Sequence, residues 1–145
     1  MKVHHTDHWL LDSHMAFIES NLPIVVGFFA VALELPSHLP DALSALYGPS
    51  AGDPTVREAD VHYICRPCRK CASRLVDKPP RPARHVVVIG TQKDINRDVV
   101  IFTAYGSLNG VIAPREPGDT SIGLWTEIIA SRNFWKTHAL SALNP

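Results

Sequence analysis

At 145 residues, 46% hydrophobic and 19% charged, the chain is too apolar for a disordered polymer and long enough for one globular domain with a buried core. Its formal net charge is zero, but the charges are segregated: residues 1–65 carry two bases against eight acids, residues 66–84 seven bases against one acid, and the remainder five of each. The basic excess is a footprint for a polyanion or an acidic protein surface, unless the acidic first half folds over it.

In chain order, Thr6 or Asp7 is placed to cap a helix running to Ser20, with Leu10, Leu11, Met15 and Ile18 on one face. Pro23 stops that helix or opens the next element. The apolar run Ile24–Leu35 is too short for a membrane span, which needs about 20 residues, and reads as a buried strand, with a helix as the alternative. The segment before it holds three acids and one lysine, the wrong sign for a secretory leader, although Ala30-Val31-Ala32 imitates a cleavage site. With an odd number of cysteines, the simpler reading is a reducing cytoplasm, and secretion as a toxin is the alternative. Ser37 and the register of Leu39, Leu43 and Leu46 predict a short helix over Pro40–Tyr47, followed by a Gly/Pro loop.

Val61–Arg66 and Ala72–Val76 read as paired strands joined by a turn at Pro67–Cys71. The prolines within Lys78–Pro82 bar that stretch from a sheet interior. His85–Gly90 and Val99–Tyr105 form a buried β-hairpin across the polar turn Gln92–Asp98. Gly106–Ser121 reads as an irregular loop, and Leu124–Leu143 as a closing helix with Trp125, Ile128, Ile129 and Trp135 as core candidates. Ala-Leu-Ser-Ala-Leu occurs at 42–46 and again at 139–143, too short a match to mark a structural repeat. The expected fold is α+β, a single domain of residues 1–145 with a mostly antiparallel sheet of about four or five strands and helices at its N-terminal and C-terminal ends.

All three cysteines fall in the pattern Cys65-x2-Cys68-x2-Cys71, with His62 just ahead. Thiolates on a tight turn grip a soft metal, so a zinc ion or an iron–sulfur cluster is one reading, although ferredoxin patterns require a fourth cysteine. The second cysteine pair of the usual structural zinc site is absent, and His62, His85 or an N-terminal histidine (His4, His5, His8) would have to supply the fourth ligand. The neighbouring cations favour the thiolate form, which also allows a redox role. Asp53, Glu116 and Asp119 lie in Pro/Gly loops, where acids usually form solvated turns.

The same segment carries phosphate chemistry. Arg66, Arg69, Arg74, Arg81 and Arg84 present forked donors that match phosphate oxygens, and Lys70 adds a point charge. Tyr63 and Tyr105 offer aromatic faces for stacking on bases. His62 and His85 are proton carriers of the kind that metal-independent RNA cleavage uses, with cations around the phosphate.

Val99–Gly106, VVIFTAYG, resembles the last strand of bacterial toxin ribonucleases of the barnase–EndoU–RelE type. The resemblance implies that Thr103 and Tyr105 line the active face of a small antiparallel sheet. The chain as a whole is similar to small bacterial proteins, which implies no mechanism. The leading expectation is therefore an RNA-binding or RNA-cleaving domain that requires no cofactor. Arg66, Arg69, Lys70, Arg81, Arg84 and Tyr63 would bind nucleic acid, while His62, Arg74, His85, Thr103 and Tyr105 would act at the phosphate. The alternative is a non-enzymatic module that docks an acidic protein partner, its turn shaped by zinc on Cys65, Cys68 and Cys71. Neither reading involves a membrane.

Overall fold

The expected hairpin forms the middle of the larger sheet. In the computed structural model, which describes residues 2–3, 10–23, 25–44, 46–47, 61–64, 73–94, 98–114 and 125–141, the valine-rich strands His85–Gln92 and Val99–Ser107 pair antiparallel. The architecture is α+β: among the described residues there are two α-helices, a mainly antiparallel sheet and a smaller second sheet. The chain divides into two compact units, Met1–Ser44 with Arg81–Ile112 and Ala45–Pro80 with Ala113–Pro145. Among the described residues, no helix is long and apolar enough to cross a membrane.

Numbered along the chain, the strands are β1 (Lys2–Val3), β2 (Gly27–Glu34), β3 (Ala42–Ser44), β4 (Leu46–Tyr47), β5 (Val61–Ile64), β6 (Ser73–Val76), β7 (Arg81–Ala83), β8 (His85–Gln92), β9 (Val99–Ser107) and β10 (Ala139–Ser141). The helices are α1 (Asp12–Ser20) and α2 (Trp125–Thr137). In the first unit the order is β2-β8-β9-β3-β7, with β1 added parallel to β9. β7 and β8 are separated only by Arg84 yet stand apart in that order, so the sheet curls at this residue. Pro82 lies in β7, at the edge of the sheet, where a missing N–H is tolerated.

Alternation along the strands sorts the sheet into two faces. Val86 and Val88 pack with Phe29, Leu35, Ala42, Ile101 and Ala104 against Ile18 of α1, and none of these is more than 5% exposed. The opposite face carries His85, Val87, Ile89 and Thr91, flanked on β2 by Glu34, Ala32, Ala30 and Phe28 and on β9 by Ser107, Tyr105, Thr103 and Val100. Between Ile89 and Gly90 the register slips, so Phe102 is the extra residue of a β-bulge.

The described part of α1 starts at Asp12 rather than at the expected Thr6 or Asp7, and residues 4–9 lie outside the described ones. Its first turn is tied down by His14, which is fully buried. The Nδ1 atom accepts the Leu11 N–H at 3.1 Å, and Nε2 lies 2.8 Å from the Pro40 carbonyl, so the neutral tautomer with its proton on Nε2 satisfies both contacts. Leu11, expected on the apolar face, is exposed. His14→Ala removes both bonds and leaves a void; it is expected to lower stability by about 2 kcal/mol, read as a lower urea midpoint at unchanged slope.

The second unit has the order β4-β10-β6-β5, with Tyr47, Val76 and Ala139 buried at its centre. β5 and β6 form the antiparallel pair expected from the sequence. Two expected helices are corrected. Pro40–Tyr47 does not form one: Ala42–Ser44 and Leu46–Tyr47 are strands, because β7 and β9 take up the first and β10 the second. The closing helix ends at Thr137, where the Phe134 carbonyl accepts the His138 N–H at 3.1 Å and the Thr137 hydroxyl at 3.0 Å. Ala139–Ser141 then inserts between β4 and β6. Trp135 is buried as expected, Ile129 is exposed instead, and the side chains of Trp125 and Ile128 lie outside the described ones. Gly106 and Ser107 belong to β9 rather than to a loop, and a 3-10 turn at Leu108–Gly110 follows; residues 115–121 lie outside the described ones.

Candidate functional site

Three of the residues expected to act at a phosphate stand on one face of the first sheet. His85 is the first residue of β8, and Val87 and Ile89 follow it on the same face. Val87 pairs with Tyr105 and Ile89 with Thr103, so Tyr105 is the diagonal neighbour of His85 and Thr103 stands one step beyond. His85, Thr103 and Tyr105 are all half-buried. Two fully buried neighbours, Val87 on this face and Val88 on the other, hold the middle strand in place.

The register adds a group that the sequence reading missed. Glu34, the last residue of β2, is directly opposite His85 and is exposed. Its signal was in plain view, as a carboxylate closing a run of otherwise apolar strand residues, but only the pairing of β2 with β8 sets it beside the imidazole. Leu35 N–H donates to the Arg84 carbonyl at 2.7 Å, one step beyond the Glu34–His85 pair. Because bonded and non-bonded pairs alternate, Glu34 and His85 form a non-hydrogen-bonded pair, the type with Cα atoms about 4.5 Å apart. Among the described residues, no hydrogen bond or ion pair holds either side chain.

The 3-10 turn closes one side of this row. Gly110 has φ +71°, and a Cβ placed there would lie 3.3 Å from His85 Cδ2 and 3.5 Å from the Ala32 Cβ. Its backbone therefore packs directly on the imidazole, and only glycine combines that conformation with that proximity. The fully buried Ser107 donates from its hydroxyl to the Val111 carbonyl at 2.6 Å, which folds the turn back over the strand end.

The remaining expected residues divide as follows. The four terminal N–H groups of Arg84 donate to the carbonyls of Leu35, Pro36 and Leu39 and to Asp41 Oδ1, at 2.5–3.1 Å. Arg81 is half-buried in β7 opposite Ser44. His62 and Arg74 belong to the second unit, where His62 pairs with Leu75 and Tyr63 with Arg74. That fixes the register the sequence left open; their side chains are not among the described ones. Arg66, Arg69, Lys70 and the cysteines Cys65, Cys68 and Cys71 lie outside the described residues, as do His4, His5, His8, Asp53, Glu116 and Asp119. Among the described residues, no group of three or more His, Cys, Asp and Glu side chains is gathered to hold a metal ion.

No family model and no curated protein matches the chain. Among solved structures it is similar to a conserved hypothetical protein from Toxoplasma gondii ME49, at 18% identity, over 87% of this chain and 80% of that one, with a TM-score of 0.47.

Proposed function

We propose that the chain handles RNA, and that the sheet face carrying Glu34, His85, Thr103 and Tyr105 cleaves it without a metal. The observation that supports this most is the register, which sets a carboxylate directly beside an imidazole and brings a tyrosine and a threonine onto the same face. The polyanion part of the reading rests on charge: Arg66, Arg69, Lys70, Arg74 and Arg81 fall in the nineteen-residue segment with seven bases and one acid.

The chemistry assigns each group a step. The Glu34 carboxylate takes the proton of a ribose 2′-hydroxyl, and the 2′-oxygen attacks the adjacent phosphorus. The bond from phosphorus to the 5′-oxygen breaks, and the imidazolium of His85 delivers a proton to that departing oxygen. The products are a 2′,3′-cyclic phosphate and a 5′-hydroxyl end, with no net change of atoms or electrons. Tyr105 stacks on a base and Thr103 donates a hydrogen bond to a phosphate oxygen.

The test is incubation of the intact protein with single-stranded RNA in chelator, with analysis of the product ends. Cyclic-phosphate ends are expected, and His85→Ala and Glu34→Gln should each slow their appearance by at least about tenfold. Intact RNA with the wild-type protein, or equal cleavage by a folded His85→Ala variant, would sink the nuclease reading. A protein partner for the basic segment would then be sought instead.

A further inference from the structure

β2 is eight residues long and pairs with β8 along one side; among the described residues, no strand lies along its other side. The phase of that open side follows from the single bond between the Leu35 N–H and the Arg84 carbonyl. Counting back through the alternating ladder, Leu33, Val31 and Phe29 bond to β8, while Phe28, Ala30, Ala32 and Glu34 turn their N–H and C=O groups outward. The other end of the sheet is guarded, since β7 has three residues, with Pro82 in the middle and Arg81 beside it. β2 has no proline, no lysine or arginine, and one acid at its far end. Phe28 is 68% exposed, and Val26 just before the strand is 64% exposed. A long, apolar, nearly uncharged open edge is the kind that takes on another strand.

We propose that this edge is an interface whose occupant is β2 of a second copy of the chain, antiparallel about a two-fold axis through Val31. The outward residues are symmetric about that point. Ala30 of one copy meets Ala32 of the other, and Phe28 meets Glu34, so every outward amide and carbonyl finds a partner. Full pairing of all four outward residues selects this register, and the charge pattern agrees with it. It keeps the two Glu34 carboxylates at opposite ends of the seam, whereas a slip that set them face to face would oppose like charges. On the core side, Phe29 lies across from Leu33 and Val31 across from itself, which carries the apolar layer from one copy into the next. The segment thus complements itself, as an interface on a two-fold axis must.

The measurement is the molar mass of the intact protein by size-exclusion chromatography with light scattering, over about a hundredfold range of concentration. The wild-type chain of 16.0 kDa is expected to run at twice that mass. Ala30→Pro deletes an N–H that faces away from β8, so it should leave the fold intact and yield a monomer. Phe28→Glu places a second carboxylate opposite Glu34 and should raise the dissociation constant by about tenfold, and adding Glu34→Lys should restore pairing. A wild-type monomer at every concentration would overturn the proposal. So would a dimer that survives both Ala30→Pro and Phe28→Glu with native circular dichroism, or a Phe28→Glu defect that Glu34→Lys does not repair.

Discussion

Gly106→Val is expected to destabilise the protein by about 4 kcal/mol, enough to leave a marginally stable domain largely unfolded. A Cβ at Gly106 would lie 2.5 Å from the Leu43 carbonyl oxygen, 2.9 Å from its carbon and 3.2 Å from the Ala42 Cβ. The first two are backbone atoms, so no side-chain rotation relieves the overlap. β3 would have to withdraw from β9, to which it is joined at Ser44 and Gly106, and β7 pairs in turn with β3. Ala42 and Ser44, both fully buried, would lose their cover. Gly106→Ala carries the same first contact without the branching and should cost about 2–3 kcal/mol. Urea denaturation of both variants reads the effect; a valine variant within about 1 kcal/mol of wild type would mean that β3 does not lie on the β9 edge.

Arg84→Ala is the second large loss, expected at about 3 kcal/mol. The guanidinium holds three carbonyls of the Leu35–Leu39 turn and the Asp41 carboxylate at the point where the sheet curls. The ion pair itself contributes little, because the two side chains are 37% and 48% exposed and such pairs are worth about 0–1 kcal/mol. The carbonyls matter more, since one planar fork satisfies several acceptors at fixed angles. The expected order of destabilisation is therefore Arg84→Ala, then Arg84→Lys, then Asp41→Ala at about 0.5 kcal/mol. An Asp41→Ala effect equal to that of Arg84→Ala would assign the stability to the ion pair instead.

The residues that forecast correctly are those whose local pattern and tertiary setting agree. The β-branched run in β8 is buried on both faces and that in β9 is buried or half-buried, so propensity and burial point the same way. Ala-Leu-Ser at 42–44 and at 139–141 shows the opposite case. Both copies consist of residues that suit a helix, and both are strands, because each is captured between partners distant in sequence. Pairings of that kind leave no mark on a local window. The candidate site divides in the same way. His85, Thr103 and Tyr105 were visible as residue types near two strong strands, whereas Glu34 needed the β2–β8 register and Arg84 needed the turn it closes.

The interleaving of the two units sets an order on synthesis. The chain leaves the first unit after Ser44, returns at Arg81 and leaves again after Ile112. Neither unit is one continuous segment, so neither can be cut out by trimming an end. On the ribosome the first sheet can close once residue 112 has emerged. The second cannot, because β10 sits between β4 and β6 and is supplied only by residues 139–141. Until then β4 and the β5–β6 pair present unfilled edges to whatever else is nearby. The nascent chain thus passes through a half-built stage that ends only when β10 arrives, and that is the interval in which a chaperone would have most to bind.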